Sequence, residues 1–298
     1  MQQHDAEQLV LAGPGEHRDP QRIAQLVQQF GVTTLHFVPP LLRLFVDEPQ
    51  ALQCRTLRRL FSGGEALPAE LRNRVLQQLP AVQLHNRYGP TETAINVTHW
   101  QCASDDGERS PIGRPLGNVV CRVLDSELNP LPVGVPGELC IGGIGLARGY
   151  LERPGLTAER FIADPLGEPG ARLYRTGDQV RWNRDGALDY LGRLDQQVKL
   201  RGFRVEPQEI EACLLALPLV AQAAVVIRDT AAGPQLIGYY TALPCTLDEE
   251  ALNRELKAAL TAQLPDYMVP AQLLRLDAMP LSPSGKLDRR ALPEPGRA

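Results

Sequence analysis

No two cysteines stand in a C-x-x-C arrangement: Cys54, Cys102, Cys121, Cys140, Cys213 and Cys245 are scattered through 298 residues. Neither a disulfide framework nor a zinc ribbon is signalled, so a reducing cytosol is the expected compartment. Positive charge is not in excess either. The 31 Lys and Arg stand against 35 Asp and Glu, a formal net charge of −4 with a pI near 5.8, which argues against a general nucleic-acid binder. No apolar run approaches the ~18 residues that a membrane span needs. The opening Met1-Gln2-Gln3-His4-Asp5 is polar and has no secretory pattern. A soluble, cytoplasmic protein with no membrane partner is expected. A Walker A lysine is missing, and Gly143-x-Gly145-x-x-Arg148 lacks the third glycine of a dinucleotide fingerprint. The five histidines show neither metal-ligand spacing nor a paired nucleophile, which counts against a metallohydrolase or a triad enzyme. No internal repeat or low-complexity tract is visible.

Composition is ordinary, with 43% hydrophobic and 22% charged residues, and the length suggests about two domains. Ile23, Leu26, Val27 and Phe30 fall at helical spacing over 20–30, with Gly31 as a stop. Val32 to Val38 reads as a buried parallel strand ending at Pro39-Pro40, followed by a helix from Leu41 to Val46. Leu57 to Phe61 then runs through Ser62-Gly63-Gly64-Glu65-Ala66 into a helix over Ala69–Leu79, and Val82 to Asn86 is the next strand. Strand, glycine turn and helix in alternation mark a doubly wound α/β sheet, where ligands sit at strand C-terminal ends. From about Ile112 the texture changes to short strands with Asn-Pro, Pro-Gly and Asp-Gly turns, the pattern of a small β-rich subdomain. Beyond Asp195 the order is hairpin, helix, two strands, helix and strand, a compact α+β body.

The stretch Gly192–Glu206 joins these bodies. It carries Lys199, Arg201 and Arg204, with Gly202 at the expected tip of a hairpin where backbone could approach a ligand closely. An exposed basic hairpin linking two domains would give the same pattern. Tyr88-Gly89-Pro90-Thr91-Glu92 follows a strand and offers a hydrogen-bond donor beside a carboxylate, the pair needed for a phosphate and Mg²⁺. Tyr88 could stack on a purine, and a tight turn with a partly buried tyrosine is the competing reading. Thr176-Gly177-Asp178 reads as a glycine turn before a strand, its carboxylate able to accept both hydroxyls of a ribose. Lys286, in Pro283-Ser284-Gly285-Lys286, is a loop lysine of the sort that is usually solvated.

Six stretches recur in one order: Asn86–Glu92, Gly137–Gly143, Tyr174–Asp178, Gly192–Glu206, Leu264–Pro270 and Ser284–Asp288. Together they resemble the adenylation domains of nonribosomal peptide synthetases, within the acyl-adenylate-forming superfamily. The resemblance covers nearly the whole chain but implies a C-terminal fragment, without the upstream phosphate loop and amine-binding aspartate of that family. It implies residues 1–194 as the rest of the large AMP-binding subdomain (1–110 α/β, 111–194 β-rich) and 195–298 as a mobile lid. The implied reaction is amino acid plus ATP giving aminoacyl-AMP and pyrophosphate, then transfer to the phosphopantetheine of a peptidyl carrier domain, with a condensation domain or the missing N-terminal half as further partners. Gly64, Glu65 and Ala66 would lie along one face of adenine and Tyr88 on the other. Thr91 would meet the α-phosphate, Glu92 the Mg²⁺, and Asp178 the ribose, with Tyr190 and Arg193 nearby. Lys286 would bridge substrate carboxylate and α-phosphate. Asp195 would be the hinge, and Lys199, Arg201 and Gly202 would serve the thioester step. Phe37, Phe61, Gly63, Arg87, Ile95 and Asn96 would line the substrate pocket. Arg87 suggests a polar or acidic substrate side chain, unless it turns outward and Phe37 and Phe61 leave the pocket apolar. An acyl- or aryl-CoA ligase, and a non-catalytic remnant, are the alternatives; the isolated chain is expected to show no turnover.

Overall fold

The structure, a computed structural model, describes residues 8–230, 233–244, 247–282 and 286–296. Cys245 and the Pro283-Ser284-Gly285 part of the lysine loop lie outside the described residues, as does Met1–Asp5. The chain divides into two compact units, Met1–Asp195 and Gln196–Ala298.

In the first unit, α1 (Pro20–Phe30) starts where the Asp19 carboxylate accepts from the amides of Gln21 and Arg22, and stops at Gly31 in the left-handed region with φ 64°. These are the caps that the orphan amides and carbonyls of a helix require. Strand β1 (Thr34–Phe37), α2 (Pro39–Asp47), β2 (Arg59–Ser62), α3 (Ala69–Gln78) and β3 (Gln83–Tyr88) follow, each within a few residues of its predicted span. Strands β1, β2 and β3 are parallel, and β4 (Thr98–Gln101) and β5 (Arg114–Pro115) extend the sheet antiparallel in the order β1-β2-β3-β4-β5. Alternation divides the faces. Phe37, Leu60 and Leu84 join Val27, Leu42, Phe45, Leu71 and Val75 in the helical core, while His36, Phe61 and His85, mutually in register, take the other face.

The β-rich part carries β6 (Val119–Leu124), β7 (Gly137–Gly143), α4 (Pro154–Arg160), β8 (Phe161–Ala163), β9 (Arg172–Trp182) and β10 (Leu188–Arg193), in the antiparallel order β10-β9-β7-β6 with β8 on β9. Tyr88, Val97 and Ile112 share a core with Val123, Leu139, Ile141, Val180 and Leu188. The end of β3 is therefore packed onto this second sheet.

In the second unit, β11 (Val198–Leu200) and β12 (Phe203–Val205) form the predicted hairpin. Its two turn residues, Arg201 at φ 53° and Gly202 at φ 84°, are both left-handed, as a twist-matched two-residue turn requires. Next come α5 (Pro207–Leu215), β13 (Val220–Thr230), β14 (Gly233–Ala242), α6 (Glu249–Gln263) and β15 (Gln272–Arg275), the sheet running β13-β14-β15. Val225, Leu236 and Tyr240 face Ile210, Leu214, Leu252, Leu256 and Leu260. Ala224, Ile237 and Tyr239 face Met279 and Leu292, so the C-terminal segment covers the reverse side of the sheet. Among the described residues no helix is long and apolar enough to cross a membrane.

Candidate functional site

Strand β3 delivers Tyr88 to the edge of the second sheet, where its ring is 7% exposed. The chain must then turn at Gly89, because a Cβ there would sit 2.2 Å from the carbonyl oxygen of Ile95. A single 3-10 turn, Thr91–Thr93, follows, with Ala94 and Ile95 at φ 61° and 71°. Thr91 faces solvent, whereas Glu92 is 7% exposed. Tyr150 donates its hydroxyl to Glu92 Oε1 at 2.7 Å, and the Ala147 amide donates to the Glu92 carbonyl. Tyr150 was not singled out from the sequence; only the packing that returns residues 147–150 to this turn reveals it.

The Thr176-Gly177-Asp178 stretch corrects its sequence reading. It is not a turn before a strand but lies inside β9, where Glu138 pairs with Gln179 and Cys140 with Arg175. Thr176, Gly177 and Asp178 thus lie opposite Leu139 alone, a bulge that needs Gly177 at φ 71°. The Thr176 hydroxyl donates to the Leu139 carbonyl and accepts from the Asp178 amide, and Glu138 accepts from the Gly177 amide. These bonds aim the Asp178 side chain. Register then sets Arg193 of β10 directly across from Asp178.

Asp178 is 2% exposed. Its Oδ2 accepts from the Tyr88 hydroxyl at 2.5 Å and its Oδ1 from Arg193 Nη1 at 2.8 Å. Arg193 also donates to the Thr176 carbonyl and to both carboxylate oxygens of Asp195, at 2.6 and 2.7 Å. Arg160 lies 3.9 Å from Asp195 as a further ion-pair partner. Burial, then the Asp178 charge, pushes the Tyr88 phenol well above its ordinary range. The same two causes push Tyr190 up to about 12. Burial opposes the charge on Arg193, but the hydrogen-bonded Asp195 and the Asp178 charge overcome it and raise the guanidinium pKa. Tyr88, Asp178, Arg193 and Asp195 are thus brought together.

The other predicted positions are less unified. Gly64 turns at φ 88°, with Glu65 half-buried and Ala66 exposed. Gly63 is required by contact, since a Cβ would lie 2.9 Å from the Arg87 carbonyl and 3.3 Å from His36 Nε2. Phe37 packs against Phe45 in the helical core, whereas Phe61 is on the opposite face with the Arg87 guanidinium 4.0 Å above its ring. Ile95 is 63% exposed and Asn96 half-buried.

In the second unit, Lys199 pairs across the hairpin with Arg204, Arg204 donates to Glu206, and Phe203 stacks on Tyr267 with centroids 4.3 Å apart. Lys286 is exposed, but the segment bearing it is pinned. Ser282 and Lys286 exchange backbone and hydroxyl bonds, Leu281 bridges Leu287, and the Asp288 amide donates to Pro280. One turn on, Arg289 makes a two-pronged bond to Glu211 of α5, at 2.7 and 3.0 Å, and Glu211 also accepts from the Val225 amide at 2.7 Å.

Residues 6–151 match the AMP-binding enzyme family and residues 209–286 match the AMP-binding enzyme C-terminal domain. Phosphinothricin tripeptide synthetase PhsB of Streptomyces viridochromogenes is 53% identical over 291 residues, covering 96% of this chain and 24% of that protein. Enterobactin synthase component F of Escherichia coli (strain K12) is 48% identical over 306 residues, covering 96% of this chain and 23% of that protein. The solved structure of holo-PA1221, an NRPS protein containing adenylation and PCP domains bound to a vinylsulfonamide inhibitor, is similar with a TM-score of 0.77 and 30% identity, over 92% of this chain and 46% of that one. The chain spans about a quarter of the length of these two curated relatives. With both family regions matched in order along the chain, it belongs to the AMP-binding enzymes, and nonribosomal peptide synthetase proteins are among its relatives.

Proposed function

We propose that the chain activates an amino acid as its adenylate and passes the aminoacyl group to the phosphopantetheine thiol of a peptidyl carrier domain. One observation carries this reading: the Asp178 carboxylate, buried and fixed between the Tyr88 hydroxyl and the Arg193 guanidinium. A carboxylate whose charge and direction are set in advance meets the hydroxyl pair of a ribose as a preorganised acceptor. Tyr190 borders the same place, and Gly64, Glu65 and Ala66 with Tyr88 would flank the adenine.

Thr91, exposed at the start of its turn, would donate to the α-phosphate. Glu92 is a buried hard-oxygen donor oriented by Tyr150, and one carboxylate completed by phosphate oxygens and water is a donor set that Mg²⁺ takes. Glu92 would hold that ion, whose charge would offset the charge of the phosphates. In the reaction a carboxylate oxygen of the amino acid bonds to the α-phosphorus as the bond to pyrophosphate breaks. Lys286 would stabilise the negative charge that develops there. In the second step the pantetheine sulfur bonds to the acyl carbon and AMP leaves. Lys199, Arg201 and Gly202 would serve that step, with Asp195 as the pivot between the two.

The test is amino-acid-dependent ATP–pyrophosphate exchange by the full-length protein, followed by transfer of labelled amino acid to a carrier domain bearing phosphopantetheine. Exchange and transfer are expected. Exchange with no amino acid would overturn the reading, and thioester formation on free coenzyme A from an acid without an amino group would replace it with an acyl-CoA ligase.

A further inference from the structure

The sheet face turned away from the helices carries Phe61 and Arg87 of the expected substrate pocket together with three histidines that the sequence did not single out. His36 of β1, Phe61 of β2 and His85 of β3 are in register, and His99 of β4 pairs with Arg87 of β3. The side chains form a column. The Arg87 guanidinium lies 4.0 Å from the Phe61 ring centre, Phe61 and His85 stack at 5.0 Å and 26°, and His85 and His99 stack at 5.0 Å and 29°. His99 Nε2 lies 2.9 Å from His85 Nδ1, so one proton joins the two rings.

Two polar atoms of this column are buried without a hydrogen-bond partner, Arg87 Nε and His85 Nε2. Among the described residues no carboxylate forms an ion pair with Arg87; its one close partner is the Phe61 ring. The charged groups acting on His85 are all basic: His99, Arg87 and Arg59. Burial, then the Arg87 charge, lowers the pKa of His36 and of His99, and burial followed by His99, Arg87 and Arg59 does the same for His85. The imidazoles are therefore neutral near pH 7 and hydrogen-bond without adding charge. One uncompensated cation is left beside neutral imidazoles, and a half-buried charge without a counter-ion is costly.

We propose that this face is a carboxylate subsite, with Arg87 as the anchoring cation and His85 and His99 as neutral partners, and that it selects an amino acid with an acidic side chain. The proposal rests on the amino-acid-activating reading for the identity of the ligand but not for the existence of the site. Phe61 covers one flat face of the guanidinium, so recognition falls to its edge. The unpartnered Nε and a neighbouring N–H form the two-pronged fork that fits a carboxylate. One guanidinium matches one carboxylate group. Phe37, packed in the core on the far side of the sheet, contributes nothing to this surface.

Two measurements test it. In pyrophosphate exchange with the full-length protein, aspartate or glutamate should exceed asparagine, glutamine and leucine by at least about 100-fold in kcat/KM, and Arg87→Gln should erase that margin. If other amino acids are activated and the acids are no better than their amides, the subsite is overturned while adenylation stands. Independently, succinate titrated into the wild-type chain should shift the His85 and His99 ring resonances in NMR spectra, and should not do so in Arg87→Gln. If no amino acid supports exchange, the adenylation reading fails, and the succinate shifts alone then uphold or overturn the anion site. Shifts that persist unchanged in Arg87→Gln overturn it.

Discussion

Asp178 and Lys286 are the two charged groups on which the proposed chemistry leans most, and the fold treats them in opposite ways. Asp178 is 2% exposed and locked between strands by Tyr88 and Arg193. Lys286 is exposed, and the rigidity lies one step away, in the buried Glu211–Arg289 pair and in Met279, Leu287 and Leu292 packed beneath the segment. On the proposed chemistry, the group that would wait for a nucleotide is held by its own partners, whereas the group that would meet developing charge is left solvated on an anchored support. Removing the first should damage both folding and binding; removing the second should damage the reaction alone.

Asp178→Ala should have the largest effect. It removes two buried hydrogen bonds to a charged group, from the Tyr88 hydroxyl and from Arg193, which keeps Asp195, and each such bond contributes about 1.5–3 kcal/mol. Denaturant unfolding should register that loss, and calorimetric titration should find no nucleotide binding. Full stability in this variant would mean that the network does not hold the two sheets together. Lys286→Ala should lower pyrophosphate exchange by about 10²–10³-fold, the usual scale for removing one charge-stabilising group, and leave the melting temperature unchanged. Equal loss in exchange and in thioester transfer from supplied adenylate would contradict separate use of the lysine in the first step.

Glu211→Gln sits between these extremes. It keeps the shape and removes the charge under Arg289, which should cost about 1.5–3 kcal/mol. If the pair positions Lys286, kcat should also fall, roughly tenfold, with little change in KM, since small misplacements of reacting groups are expensive. A stability loss with unaltered kcat would reduce the pair to a structural role.

The helices and strands of both sheets were legible because their apolar positions repeat at helical or alternating spacing and end at Gly31, Pro39 or Pro265. What escaped the sequence lacks that signal. Helix α4 buries none of its side chains and so carries no stripe to read. Strand β4, Thr-His-Trp-Gln, places His99 and Trp100 on opposite faces rather than alternating apolar with polar. The bulge at Gly177 hid because glycine beside aspartate normally means a turn, and only the pairing of β7 with β9 reveals that the strand continues. Candidate residues within motifs, such as Tyr88 and Asp178, could be named in advance, and the structure brings these two together. Partners that arrive through register, such as Tyr150 for Glu92, or through packing, such as Glu211 for Arg289, could not. The pocket set was split for the same reason: Phe37 and Phe61 follow similar strands, but the pleat sends them to opposite faces.

The smallest expected effect concerns pH and separates the helical side of the first sheet from its imidazole side. His36, His85 and His99 each have a folded pKa below the ordinary 6.5, from burial first and from Arg87 and its basic neighbours next. In that window the unfolded chain binds more protons than the folded one, so stability rises with pH. The contribution of these residues is complete above about 6.5, and it drains away on acidification as each folded pKa is passed. Denaturant midpoints measured between pH 7.5 and 5 should therefore fall, and His99→Gln should flatten the slope by removing one titrating ring. Arg87→Gln should flatten it further, because Arg87 contributes to all three shifts. An unchanged slope in Arg87→Gln would mean that burial alone keeps the imidazoles neutral.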